Sequence, residues 1–220
     1  MTRMVEAVVF DLDGVLVDSE HLWSEVREAL ARERGGRWHP RAEADMMGMS
    51  STEWSRYMHD VIGLEDAPAQ INEDVVRAMQ ERYEQHLPVI DGAVEAVRRL
   101  AAVYPLALAS SANRPLIDTV LRETGLGEVF EATVSSEEVA RGKPSPDVYL
   151  EAATRLGREP ARCVAVEDST NGMLSAHAAG MKVITIPNVR YPPAAEALAL
   201  ADRVLPAITE LGSETVGSVR

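Results

Sequence analysis

The sequence predicts an α/β protein in which a parallel sheet forms the core and a helical domain is inserted into it. Short apolar runs recur along the chain and each is followed by a helical pattern, as in parallel strands joined by crossover helices. Residues 20–86 break this alternation, because they have helical periodicity and no strand candidate. With 46% hydrophobic and 26% charged residues, the chain has the composition of a globular protein with an ordinary core.

Five apolar runs are predicted as strands, and a sixth strand is left open. The runs are short and rich in valine and alanine, and polar residues or a proline follow them. They are residues 7–10, 106–109, 132–134, 163–166 and 183–186.

The insertion is predicted as a helical domain of residues 19–87, which leaves residues 1–18 and 88–220 for the sheet domain. Ser50 and Glu53 have the spacing of a capping box at the start of a helix. The helices predicted in the insertion are residues 20–34, 51–62 and 72–86.

Helix signals also follow the strands outside the insertion. Asn113 or a neighbour is predicted to cap the helix after the second strand, and Gly125 to end it. Another helix is predicted to begin at residues 145–147, and the one after the fourth strand to stop at Gly180. The tail from Gly212 onward is predicted to be mobile.

Composition excludes several classes of function. Lysines and arginines number 22 against 35 aspartates and glutamates, a net charge of −13, so neither nucleic acid nor an anionic membrane is expected as a partner. The single cysteine, Cys163, cannot form an intrachain disulfide, which favours a reducing, cytoplasmic location. We find no export signal and no apolar stretch of the ~18 residues that a membrane helix needs. No heptad pattern or apolar stripe indicates a dimer, so a monomer is expected.

Five polar side chains directly follow predicted strands, at the edge where open parallel sheets bind ligands. They are Asp11, Asp13, Ser110, Glu167 and Asp168. Four carboxylates in one pocket repel one another and are tolerated only beside a cation. Oxygen ligands favour Mg²⁺, which completes its coordination with water and substrate phosphate. The sequence therefore predicts a site for Mg²⁺ and a phosphorylated substrate.

Three further features predict phosphoryl transfer at this site. An aspartate held against Mg²⁺ and phosphate can accept a phosphoryl group as an acyl phosphate. Lys143, in the segment 142–144, offers a fixed positive charge. Ser110 and Ser111 offer hydroxyl and N–H groups for phosphoryl oxygens at a helix N-terminus. Each feature alone is weak, but their order along the chain is specific.

At these positions the sequence resembles the haloacid dehalogenase superfamily of magnesium-dependent phosphotransferases, over nearly the whole chain. Residues 9–19 resemble its first motif, Ser110 its second, Lys143 its third and residues 167–169 its fourth. The insertion resembles the small α-helical cap of the subgroup that includes β-phosphoglucomutase and many sugar-phosphate phosphatases. The resemblance implies a Rossmann-like core with an inserted α-helical cap domain.

The resemblance also implies catalytic roles. Asp11 would attack phosphorus to form an aspartyl phosphate, while Asp13 would protonate the leaving alkoxide and later take a proton from water. Ser110 and Lys143 would bind the transferring phosphoryl oxygens.

A Mg²⁺ cofactor and a closing cap are implied in the same way. The ion would bind the Asp11 carboxylate, the Asp13 backbone carbonyl and the Asp168 carboxylate, with Glu167 close by or reaching it through water. The cap would close over the site and supply specificity contacts, mainly through a loop at residues 46–52. Substrate contacts are expected from Glu20, Trp23 and Ser51 in the cap and from Ser110, Ser111, Asn113 and Lys143 in the core.

Within the superfamily, the residues favour hydrolysis of a hexose or deoxyhexose phosphate. The dehalogenases lack the second aspartate, here Asp13, and the phosphonatases need a cap lysine, whereas residues 20–86 contain none. The β-phosphoglucomutases have a histidine and an arginine where this chain has Trp23 and Ser51. The alternative function is that of a phosphosugar mutase of the β-phosphoglucomutase type. A further alternative is a catalytically silent relative that binds a phosphorylated metabolite.

Other residues have purely structural explanations. Trp23 and Trp54 are large aromatics of the kind that pack a helical core, and Cys163 is predicted to be a buried, inert thiol. A set of arginines alternates with glutamates, which is typical of a solvated helix face. The set is Arg27, Arg32, Arg34, Arg37 and Arg41.

Overall fold

A computed structural model describes residues 5–46 and 49–219, and its centre is a six-stranded parallel sheet with the strand order β3-β2-β1-β4-β5-β6. This confirms the predicted α/β class and its Rossmann-like core. The strands are β1 Ala7–Phe10, β2 Leu106–Ser110, β3 Ala132–Ser135, β4 Cys163–Glu167, β5 Lys182–Thr185 and β6 Arg203–Val204.

The strand predictions are close, and each error is of one residue at a strand end. β2, β3 and β4 each run one residue further than predicted, because a polar residue still pairs in the ladder at each end. Ser110 pairs with Ser135, and Glu167 pairs with Thr185. β5 begins and ends one residue earlier than predicted. Backbone pairing, rather than side-chain polarity, thus decides where these strands end.

The register brings the ends of the three central strands to one edge. Phe10, the last residue of β1, pairs with Leu108 on one side and with Val166 on the other. The backbone N–H of Asp11 still donates to the Val166 carbonyl at 3.0 Å. The residues that follow β1, β2 and β4 are therefore neighbours in space.

The sheet is buried on both faces, as its apolar strands require. Val8 and Phe10 of β1 pack into one core and Ala7 and Val9 into the other, because successive side chains of a strand point to opposite faces. The helices that cover the sheet are α5 Ala93–Ala101, α6 Arg114–Thr124, α7 Asp147–Arg155, α8 Thr170–Ala178, α9 Ala195–Leu198 and α10 Ser213–Ser218.

Several helix ends agree with the sequence signals. Asn113 occupies the position before α6 and Gly125 ends it with a φ of +64°, a conformation that glycine adopts without strain. The capping box of Ser50 and Glu53 is formed at the start of the helix Ser51–Asp60. The mobile tail is a wrong prediction, since Val216 of α10 is buried in the core.

Four helices of the described residues, named here the cap helices, lie between β1 and α5. They are α1 Glu20–Glu33, α2 Ala42–Met46, α3 Ser51–Asp60 and α4 Pro68–Gln85. The five-residue α2 was not predicted. α4 begins four residues earlier than predicted because Pro68 is suited to the first helical turn. In the part of the chain that the structure describes, no helix is long and apolar enough to cross a membrane.

The thiol of Cys163 allows a simple test of the core. Cys163 is fully buried in β4, and burial raises its pKa to about 11. We expect no reaction with dithionitrobenzoate in the native protein at pH 8 and one thiol per chain in guanidinium chloride. Rapid reaction of the native protein would contradict this placement.

Candidate active site

Three buried carboxylates meet at the carboxyl edge of the sheet. Asp11 directly follows β1, Glu167 is the last residue of β4, and Asp168 comes next. One carboxylate oxygen from each lies within 4.8 Å of the others. The sequence-predicted residues of two separate motifs are thus brought together by the pairing of β1 with β4.

Lys143 links the ends of these two strands. Its Nζ donates to Asp11 Oδ1 at 2.8 Å and to Glu167 Oε1 at 2.6 Å. The Lys143 side chain is only 4% exposed, and its Nζ lies 4.9 Å from the centre of the Tyr149 ring. The lysine therefore has a single position, set by two carboxylates and a ring.

Both oxygens of Glu167 are engaged in hydrogen bonds. Oε1 also accepts from the Tyr149 hydroxyl at 2.6 Å. Oε2 accepts from the backbone N–H groups of Asp168 and Ser169 and from the Ser169 hydroxyl. This arrangement assigns Glu167 chiefly to holding Lys143 and the start of α8.

Asp13 points toward the cap helices instead of toward the three-carboxylate cluster. Its carboxylate accepts hydrogen bonds from the Ser19 hydroxyl and from the Trp23 side chain. Burial is the main cause that raises the pKa of Asp13 above its ordinary value. A buried carboxyl of this kind favours its protonated form.

The site has more buried negative charge than its lysine can compensate. Burial, together with Glu167 and Asp13, raises the pKa of Asp11 to about 8. Burial and the neighbouring carboxylates also raise the pKa of Asp168 well above its ordinary value. Burial alone would lower the pKa of Lys143, but Asp11 and Glu167 raise it, so the lysine stays charged. The surplus of carboxylates is suited to a cation with oxygen ligands.

The cap helices form the other wall of the cavity. From α1 come Glu20, Trp23 and Arg27, and from α3 comes Trp54. Asp11, Asp13, Lys143, Asp168 and Ser111 line the opposite side. Met47 and Gly48 of the predicted specificity loop lie outside the described residues.

Arg27 contradicts the prediction of a solvated face. It is 8% exposed, and its guanidinium carbon lies 4.7 Å from the ring centre of Trp23 and 4.7 Å from that of Trp54. Arg32, by contrast, is exposed as predicted and pairs with Glu28. The alternation of charges did not distinguish Arg27 from Arg32, because it does not show which side of the helix faces the core.

Three predicted substrate contacts lie behind the cavity wall. Ser110 is fully buried, and its Oγ accepts from the Ala112 N–H at 2.9 Å. The Asn113 amide donates to Glu137 Oε1 at 2.6 Å, and the Ser51 hydroxyl donates to the same oxygen at 3.3 Å. Sequence reasoning missed Glu137, since nothing local indicates a carboxylate that joins α3 to the start of α6. Their contact with substrate stays a prediction.

The chain resembles known proteins over most of its length. A sequence profile of haloacid dehalogenase-like hydrolases matches residues 5–180. The chain belongs to this family. The predicted family and the predicted class of enzyme, a hydrolase of this family, are thereby confirmed.

Two curated relatives and one solved structure illustrate the similarity. The chain is 32% identical over 231 residues to hexitol phosphatase B of Escherichia coli strain K12, covering 95% of each protein. It is 29% identical over 219 residues to the bifunctional riboflavin kinase/FMN phosphatase of Arabidopsis thaliana. The matched region covers 99% of this chain but only 57% of that protein. The crystal structure of CbbY from Rhodobacter sphaeroides in complex with phosphate has a TM-score of 0.84 at 26% identity, covering 97% of this chain and 99% of the other.

The surplus of carboxylates predicts a pH-dependent stability in the absence of metal. A carboxyl whose pKa is raised by folding binds more protons in the folded than in the unfolded state, so the free energy of unfolding falls as pH rises above about 4. In EDTA at pH 8, Asp168→Asn should therefore raise stability by about 1–2 kcal/mol, or roughly 2–8 °C in Tm.

The gain should be smaller at pH 5, where more of the carboxyl groups carry protons. Calorimetry at both pH values measures this, with Asp60→Asn as the exposed control, since the side chain of Asp60 is 59% exposed. A variant that is less stable than the parent chain at pH 8 would contradict the charge surplus.

Proposed function

We propose that this protein is a magnesium-dependent phosphomonoesterase that hydrolyses small sugar phosphates, of hexose or deoxyhexose type, through an aspartyl phosphate on Asp11. The observation that carries the proposal is the buried cluster of Asp11, Glu167 and Asp168 around Lys143. The identity to a protein named hexitol phosphatase B supports a sugar or polyol phosphate as the substrate class.

The donor set fits a hard divalent cation. Asp11 and Asp168 offer carboxylate oxygens, and the Asp13 backbone carbonyl is the third proposed ligand. Glu167, whose oxygens already accept hydrogen bonds, would reach the ion through water. Bound Mg²⁺ neutralises charge so that a phosphate dianion can approach the carboxylates.

Asp11 is placed to act as the nucleophile. Lys143 fixes its Oδ1 and offers a positive charge beside the incoming phosphoryl group. A carboxylate oxygen of Asp11 forms the new bond to phosphorus as the bond to the leaving alcohol oxygen breaks. Ser111 lines the cavity and is the serine that we propose to bind a phosphoryl oxygen, while Ser110 supports this loop through Ala112.

Asp13 is placed to act as the acid and then as the base. Its raised pKa favours the protonated carboxyl that a departing alkoxide needs. Once it has lost the proton, the same carboxylate can take one from the water that attacks the aspartyl phosphate. Ser19 and Trp23 hold the group in one orientation through both steps.

The cap helices are proposed as a domain, residues 19–87, that closes over residues 1–18 and 88–220. Two hydrogen bonds join the two parts: the Ser51 hydroxyl donates to Glu137, and the Tyr191 hydroxyl donates to Glu43. Ser51 stands where the β-phosphoglucomutases have their phosphate-binding arginine. This favours water as the phosphoryl acceptor.

Phosphate release tests the nucleophile and the metal together. With glucose 6-phosphate, 2-deoxyglucose 6-phosphate and sorbitol 6-phosphate as substrates, we expect release with Mg²⁺ and none with EDTA. Asp11→Asn should lower kcat by about 10,000-fold, since the covalent step is lost. Asp60→Asn is the control and should retain activity. Undiminished hydrolysis by Asp11→Asn would refute an aspartyl phosphate on that residue.

The role of Asp13 has its own signature. Asp13→Asn should hydrolyse alkyl phosphates at least about 100-fold more slowly, because the alkoxide leaves without a proton. With p-nitrophenyl phosphate, whose phenolate needs no proton, we expect a rapid burst of one nitrophenolate per active site followed by slow turnover. Stopped-flow absorbance measures the burst. Equal slowing of burst and turnover would show that Asp13 is not the acid–base group.

A further inference from the structure

Arg27 is a cation that the proposed mechanism does not use, although it lines the same cavity. It lies seven residues after Glu20 and four after Trp23 on α1, so the three side chains share one helix face. All three line the same cavity as Asp11 and Lys143. The rings of Trp23 and Trp54 both contact its guanidinium, which restricts where its N–H groups can point.

Among the described residues, two carboxylates face the guanidinium of Arg27 but neither forms an ion pair with it. Its Nε is buried without a hydrogen-bond partner, and it forms no ion pair with a carboxylate of the described residues. Asp13 and Glu20 face it, but the Asp13 carboxylate takes its hydrogen bonds from Ser19 and Trp23. Burial lowers the pKa of Arg27 to about 10, so the group is still charged at neutral pH. An unpaired buried charge is costly, and such groups are normally paired.

We infer that Arg27 binds a second anionic group, a carboxylate or a phosphate, carried by the leaving alcohol of the substrate. This inference rests on the proposed phosphatase function and narrows its substrate class to sugar or polyol phosphates with an acidic group away from the scissile phosphate. Lys143 of the sheet domain and Arg27 of α1 line one cavity, and each then binds one anionic end of the same substrate.

An anion fits this position better than a neutral hydroxyl does. A guanidinium matches the geometry of carboxylate and phosphate oxygens through parallel N–H donors, and the hydrogen bonds are strengthened by charge. A hydroxyl would leave the buried positive charge uncompensated. Glu20, on the same helix face, is the available acceptor for the hydroxyl groups between the two anionic ends.

Matched pairs of substrates test the inference in the unmodified protein. Sorbitol 6-phosphate and 6-phosphogluconate differ only in whether the far carbon is an alcohol or a carboxylate. Fructose 6-phosphate and fructose 1,6-bisphosphate make the same comparison for a second phosphate. We expect kcat/KM to be roughly 10- to 100-fold higher for the anionic member of at least one pair, as for a hydrogen bond to a charged group. The pair that shows it identifies carboxylate or phosphate as the recognised group.

Variants of Arg27 assign that preference to one side chain. Arg27→Gln should abolish the preference by lowering kcat/KM far more for the anionic member than for the neutral one. Arg27→Lys, which keeps the charge, should retain part of it. Arg32→Gln is the matched control on the same helix, because the side chain of Arg32 is 74% exposed. Thermal unfolding of each variant separates a folding defect from lost recognition.

The outcomes distinguish this inference from the proposed function. If the parent chain fails to hydrolyse any of these substrates and p-nitrophenyl phosphate as well, the proposed function itself is wrong. If p-nitrophenyl phosphate is hydrolysed but neither pair favours its anionic member, the inference about Arg27 is overturned. Equal losses for both members in folded Arg27→Gln would likewise overturn it and leave Arg27 as a structural counter-charge of Glu20.

Discussion

The pairing of one buried ammonium with two carboxylates is the interaction on which the rest of the site depends. Lys143 joins Asp11 at the end of β1 to Glu167 at the end of β4. Without this cation, two neighbouring strand ends would each present a buried negative charge to the other, an arrangement that is strongly unfavourable. The sheet register fixes the distance between the two carboxylates, and the positive charge of Lys143 offsets their mutual repulsion at that distance.

Two glycines allow the carboxylates to come this close to the backbone. Gly14 has a φ of +81°, and a Cβ at this residue would overlap the Asp168 carboxylate. A Cβ at Gly172 of α8 would overlap the carboxylate of Glu167. Both glycines therefore make room for carboxylates at the end of β4, and the close approach of backbone to carboxylate is the reason that no larger residue fits. The acidic cluster therefore depends on the absence of a Cβ at Gly14 and Gly172 as well as on the charged side chains.

Much of this arrangement could be predicted from sequence, and the failures have a common cause. Residues that follow strands are located by local patterns, so Asp11, Asp168 and the strands before them were found. The hydrogen bonds that occupy Glu167 and the placement of Glu137 arise between distant segments and leave no local signal. Arg27 was predicted to lie on a solvated helix face because the prediction used the alternation of charges and not the position of Arg27 relative to Trp23. Helical spacing from Trp23 places it on the buried face, and this was the signal that could have found it.

One face of α1 contacts the proposed acid, Asp13, and also carries Arg27, the residue proposed to bind the second anion of the substrate. Ser19, directly before α1, and Trp23 hold the Asp13 carboxyl, while Trp23 also contacts the guanidinium of Arg27. A movement of α1 away from the sheet would therefore change the surroundings of the proposed acid and withdraw the proposed anion-binding group at the same time. A substrate that pairs with Arg27 would favour the closed position of the proposed cap domain, because both of its anionic ends would be bound by a cation there. Closure would then place Asp13 and bind the substrate in one step, so that binding energy from the far end of the substrate assists the reaction at phosphorus.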